Sequence, residues 1–223
     1  MEKKFQYLVA LLIALVLIGL GIAYSKKHKQ KTPVNPALSA EQNQQFNDKV
    51  SQLMKIVKDP KSTKADVEGA WLGIGIYYES LGQMDKEKEA FLKAAETDPN
   101  SYLPWSNLAT LYVNTKQYDK AAEAFQKGLS INDTDSQFWL KWISFNRYQL
   151  QQGDGTIRRL FNDSYKATNN NDLLLRQGAS YLEETGDMPG AIAAWQFILK
   201  QNPKDAAIKA KILDLQKKLK PKK

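Results

Sequence analysis

The chain of 223 residues contains no cysteine and only one histidine, His28. Without thiols there are no disulfides, no thiolate nucleophile and no zinc–sulfur centre. His28 stands among Lys26, Lys27 and Lys29, in a stretch without a hydrophobic pattern. It cannot complete a Ser-His-Asp or Cys-His arrangement within a folded body, and one imidazole does not make a histidine metal site. There is no P-loop, and Leu72-Gly73-Ile74-Gly75 lacks the third glycine and the preceding strand of a dinucleotide fingerprint. Adjacent acids such as Glu183-Glu184 read as solvated. These absences point away from an enzyme and predict neither metal nor cofactor. Binding is left as the expected activity.

Acidic charge is scarce overall, and the formal net charge is +8, but the excess is confined to the two ends. Residues 1–61 hold 10 lysines against 4 acids, residues 62–203 hold 14 basic residues against 18 acids, and residues 204–223 hold 8 lysines against 2 acids. The middle of the chain is therefore mildly acidic, which argues against a nucleic-acid partner despite the basic total.

Charge disappears altogether between Phe5 and Tyr24. A helix of that length rises about 30 Å, the thickness of a bilayer's hydrocarbon core. A cleavable signal has a shorter apolar core and a small-residue exit, whereas here a lysine cluster follows at once. Residues 1–25 are therefore expected to be an uncleaved transmembrane anchor. Residues 26–38, with Pro33 and Pro36, are expected to be a basic tether able to attract anionic headgroups. Counted literally, Lys26, Lys27, Lys29 and Lys31 outweigh Lys3 and Lys4 and favour a cytoplasmic body. A charged start before an apolar core is equally the beginning of an export signal. The expectation adopted is an extracytoplasmic body on a bacterial inner membrane, with the cytosol-facing topology left open.

Beyond the tether, Ser39 opens a helix over residues 39–60 with Phe46, Val50, Leu53, Met54 and Val57 on one side. It is expected to cap the body of the chain, with partner binding or self-association as the alternative. The dominant signal lies in that body. Trp71, Trp105 and Trp139 recur at a constant spacing of 34 residues, in the range of periods that marks stacked helical hairpins. Each unit pairs two amphipathic helices. The first carries Trp71, Ile74, Gly75 and Tyr78 and ends at Leu81-Gly82, and the second carries Phe91, Ala94 and Ala95 and stops at Asp98-Pro99. The next unit repeats this with Trp105, Leu108, Ala109 and Tyr112, then Tyr118, Ala121, Ala122, Phe125 and Gly128. Small residues at Gly75, Ala109, Ala121 and Gly128 are expected where helix backbones approach closely. The aromatics are expected to be core rather than a base-stacking platform.

On these residues the chain resembles the tetratricopeptide repeat (TPR) family. The first unit departs from the family pattern at Glu87, where Ala is preferred, and the second at Lys116 and Asp133, where Gly and Pro are preferred. A later unit, residues 172–202, matches through Ala179, Gly186, Ala191, Trp195 and Pro203. The third is degenerate. Gly153-Asp154-Gly155 falls later than its turn should, so either its first helix is longer or Trp142 is the true anchor, and Arg158-Arg159 stands where Ala is expected. The resemblance implies an all-α solenoid of about three and a half to four hairpins over residues 61–203. Residues 204–223 would supply a closing amphipathic helix and a basic tail.

The resemblance also implies that the first helix of each hairpin lines a groove for a polypeptide. Mapped here, that face holds Leu72, Ile76 and Glu79, then Ser106, Thr110, Val113 and Asn114, then Arg147, and finally Arg176, Ser180 and Glu183. The carboxylate clamp of some relatives needs Lys and Asn where this chain has Leu72 and Gly73, so a chaperone adaptor is not expected. The expected function is a non-enzymatic, membrane-tethered scaffold for a protein or peptide partner in envelope protein assembly or complex biogenesis. The alternatives are a self-associating structural protein, a homo-oligomer, and a cytosol-facing receptor for precursor proteins.

Overall fold

The computed structural model describes residues 39–219. The expected anchor at residues 5–24, the tether and the last four lysine-rich residues lie outside this range. Among the described residues no helix is long and apolar enough to cross a membrane.

Ten helices and no strands make up the described chain. They are α1 (Ala40–Lys58), α2 (Lys64–Ser80), α3 (Met84–Thr97), α4 (Leu103–Asn114), α5 (Tyr118–Ile131), α6 (Ser136–Ser144), α7 (Asp154–Ala167), α8 (Asp172–Glu184), α9 (Met188–Gln201) and α10 (Ala206–Leu219). The segment Phe145–Gln149 continues α6 as one π-helical turn. Helices α2 to α9 form four successive antiparallel hairpins, with α1 packed on α2 and α10 on α9.

Local chemistry sets most boundaries. Ser39 with Gln42 and Thr63 with Asp66 form reciprocal capping boxes at the starts of α1 and α2. Asp135, Asn171 and Asp187 accept backbone N–H groups at the starts of α6, α8 and α9. Turns within hairpins need one residue in the left-handed region. Gly82 and Gly186 fill it at φ 67° and 81°. In the second hairpin Lys116 takes the same conformation at φ 58°, where a side chain is strained.

The core divides at α8. One cluster runs from Phe91 through Leu108, Phe125, Phe138 and Trp142 to Phe161 and Leu174. The other joins Leu175, Ala179 and Trp195 to Ile208, Ile212 and Leu215 of α10, so the last helix covers an apolar face that α9 leaves open. At the opposite end α1 lays Phe46 edge-on to Tyr77, with ring centroids 5.7 Å apart.

Two sequence expectations need revision. The small residues Gly75 and Gly128 make room for aromatic rings rather than for a helix backbone. A Cβ on Gly75 would lie 2.3 Å from the Phe91 ring, and one on Gly128 would lie 2.5 Å from Phe138. Of the aromatics read as core, Phe125 is fully buried, but Trp71, Tyr78, Trp105 and Tyr112 are half-buried. The amines of Lys93, Lys86 and Lys120 stand over the rings of Trp71, Tyr78 and Tyr112 at 4.6, 5.1 and 5.8 Å.

Candidate functional site: a groove across the first helices of two hairpins

The third hairpin resolves the choice between a longer first helix and a shifted anchor. Asp135 starts α6 within one residue of the register expected from Trp139, so Trp139 remains the anchor. The left-handed turn residue follows Trp105 by eleven positions at Lys116, but follows Trp139 by twelve at Gln151. The additional residue is absorbed by the π turn, in which the Leu150 amide donates to the Phe145 carbonyl five residues back. Asn146, buried within this turn, donates from Nδ2 to the Trp142 carbonyl at 2.9 Å. Trp142 stacks on Phe145 with centroids 5.7 Å apart, and both rings pack against Phe125 of α5.

This insertion shapes a groove of about 260 Å3 between α4 and the extended α6. Thr110 and Val113 form one wall, Lys141, Ser144, Tyr148 and Gln149 the other, and the rings of Phe125 and Phe145 lie against it. Tyr148 is 60 % exposed. The Lys141 amine reaches the Ser106 hydroxyl at 3.3 Å, and Tyr118 donates to the Gln149 side chain at 3.2 Å, tying α5 to the π turn. An apolar lining with one amine and several hydroxyls at its edge can accept an apolar side chain and hold the chain that carries it.

Of the residues mapped from sequence, Thr110 and Val113 line this groove, and Ser106 lies at its end, buried under Lys141. Leu72 is half-buried against the first core cluster, while Ile76 and Asn114 are exposed outside the groove. The arginines are already engaged within the chain. Arg147 pairs with Glu184 at 2.5 Å and lies over the Tyr148 and Tyr181 rings at 4.8 and 4.9 Å. Arg176 joins Asp172 at 2.6 Å and Asp205 at 3.4 Å, and half-buried Ser180 is on the same helix. Glu183 accepts from the Trp195 indole at 2.7 Å and pairs with Lys211 at 3.0 Å. Sequence reasoning missed Phe125, Lys141, Ser144, Phe145, Tyr148 and Gln149. Part of the signal was there, since Lys141, Ser144 and Tyr148 follow one another at spacings of three and four.

Titration adds no catalytic constellation. Burial pushes the Tyr181 phenol up to about 12, aided by its hydrogen bond to Asp154. Burial also raises Glu87 to about 7, with the nearby Glu79 charge contributing. No group of three or more metal-ligating side chains occurs among the described residues.

Sequence models of the tetratricopeptide repeat match residues 68–101, 90–123 and 172–205. The chain carries TPR repeats, and these three spans leave out the hairpin with the π turn. Among curated proteins, human superkiller complex protein 3 is 30% identical over 115 residues, 49% of this chain and 7% of that protein. A TPR repeat-containing protein of Methanocaldococcus jannaschii is 28% identical over 166 residues, 60% of this chain and 29% of that protein. The chain therefore spans only a small part of these relatives' length. Among solved structures, MamA superposes with a TM-score of 0.52 at 16% identity, covering 74% of this chain and 87% of that one. Pseudomonas aeruginosa pilF superposes with a TM-score of 0.51 at 16% identity, covering 70% of each chain. At that identity the likeness is one of fold, a TPR-type helical solenoid. TPR proteins in general act as protein-interaction scaffolds.

Proposed function

We propose that this chain is a non-enzymatic scaffold that holds a segment of a partner polypeptide across α4 and α6, tethered to a membrane by residues 5–24. The observation that carries the partner-binding half is the apolar groove beside the π turn, where the exposed Tyr148 ring stands at the edge of a recess floored by the buried rings of Phe125 and Phe145. Aromatic side chains in a partly desolvated recess are the usual anchors of protein recognition. The tether rests on the uncharged run from Phe5 to Tyr24. The setting we propose is a bacterial inner membrane with the repeats outside the cytoplasm, in the assembly of envelope complexes. The lysine count behind that run favours the cytosol-facing alternative, a receptor for precursor proteins, and a reporter fused at the carboxyl end distinguishes the two.

Arg147 and Arg176 are poor probes of partner binding, because reversing either breaks intramolecular pairs. The test uses Val113→Glu with Tyr148→Glu, which puts two carboxylates into the groove. From detergent-solubilised membranes, tagged full-length protein is expected to co-purify a polypeptide that the double variant loses while keeping its helical circular dichroism. A partner retained undiminished by the double variant contradicts the reading.

A further inference from the structure

A second and larger cleft, of about 380 Å3, opens between α7 and α9 over α8. Phe161 and Tyr165 come from α7, Leu175 and Gly178 from α8, and Ala194 and Phe197 from α9. Its walls are second helices of hairpins, whereas the groove across α4 and α6 is built from first helices, so the two recesses are separate. Phe197 is 47 % exposed, a large apolar side chain left open to water on the cleft wall. Gly178 makes room for the Tyr165 hydroxyl, which takes the place a Cβ would occupy and fixes that ring in the cleft wall.

Unpaired charge on the lips is mostly positive. Arg159 and Lys166 lie one turn to either side of Asn162, a residue of the cleft, and Lys200 lies one turn beyond Phe197. All three are exposed, and none takes part in an ion pair among the described residues. The contrast is with Arg158, on the same helix, whose guanidinium is matched by Asp154 at 2.6 Å and Asp187 at 2.7 Å. One acid, Asp163, shares the outer side of α7 with two of the cations, and α9 bears no acid at all. An apolar recess between unpaired cations, on a repeat body that is otherwise mildly acidic, has a defined complement.

We propose that this cleft is a second docking site, which takes an acidic segment of a partner polypeptide. One leucine- or phenylalanine-sized side chain of that segment enters between Phe161 and Phe197, and its carboxylates meet Arg159, Lys166 and Lys200. The chain then carries two polypeptide sites on different faces, and the second stands whether or not the first is occupied.

The probe is a phage-displayed library of random 12-residue peptides, selected on immobilised full-length protein and counter-selected on Phe197→Glu. The expected yield is a family of peptides with one bulky apolar residue flanked by Asp or Glu. Their Kd should weaken by at least about tenfold on Phe197→Ala. A similar loss is expected on combined Arg159→Glu, Lys166→Glu and Lys200→Glu, with steep salt dependence. Binding of these peptides should be unchanged by Val113→Glu with Tyr148→Glu, which separates this site from the groove. Peptides that lack acidic residues, or a selection that enriches nothing for wild type over Phe197→Glu, overturn the proposal. So does concentration-dependent self-association abolished by the same charge reversals, which assigns the cleft to a second copy of the chain.

Discussion

The second and third hairpins share a tryptophan spacing but close in different ways. In the second, α4 and α5 meet through Ala109 and Ala121, both fully buried, and the turn comes eleven residues after Trp105 at Lys116. In the third, the larger Ile143 and Ile157 are buried on the two helices, with fully buried Ser164 beside them. The turn comes twelve residues after Trp139, and Asn146 and a stack of rings hold the extra residue in a π turn. The regular hairpin lays the rings of Tyr118 and Phe125 against the unit that follows. The irregular one turns Tyr148 outward and leaves a recess beside Phe145. A single inserted residue thus separates a unit that only stacks from a unit that also leaves a recess open.

The largest expected effect is at the joint between these hairpins. Phe125, 2 % exposed, touches the rings of Phe138, Trp142 and Phe145. Phe125→Ala is expected to cost about 3–5 kcal/mol in urea denaturation, because it empties the space that couples the two units. A cost below about 1 kcal/mol would mean that they are not coupled through this ring.

Next comes the first hairpin, where Glu87 is buried and carries a pKa raised to about 7. The folded protein binds its proton more tightly than the unfolded chain, so stability falls as pH rises from the ordinary carboxylate range through 7. Glu87→Gln should therefore stabilise at pH 8, by at most about 3 kcal/mol. The gain should vanish near pH 4.5, and thermal melts at the two pH values read it. A gain independent of pH would point to packing instead.

The turns sharpen the comparison at smaller scale. Lys116→Gly should relieve the left-handed strain and add about 1 kcal/mol, and Gly82→Ala should lose a similar amount. Gln151, at φ 51° after the π turn, should respond to Gly as Lys116 does. The smallest effect is at Tyr148. With 60 % of its surface exposed, Tyr148→Ala should change stability by less than about 0.5 kcal/mol while weakening partner capture.

Much of the fold was legible because the 34-residue spacing survives at the start of every hairpin that carries a tryptophan in its first helix. Positions one period apart map onto one another as far as Thr110 and Ser144, which face each other across the groove. The next step fails. One period after Val113 comes Arg147, but the π turn advances the register by one, so Tyr148 takes the groove position and Arg147 turns to Glu184. A lone insertion leaves only a late glycine as its mark, which does not distinguish a longer loop from a π turn. Phe125 and Phe145 were also hidden, since residues that face the core and a recess together read as core alone. The Arg176–Asp205 pair spans 29 positions and two helices, so its pairing, and with it the loss of a free groove cation, needed coordinates.

The most direct test of the groove places a photo-crosslinking benzoylphenylalanine at Tyr148 or, as control, at exposed Gln126 on α5, in full-length protein within the cell that makes it. The expected result is a discrete polypeptide adduct at position 148 that is lost when Val113→Glu is added, with none at position 126. Equal labelling at the two positions, or an adduct at 126 alone, would contradict a partner-binding groove across α4 and α6.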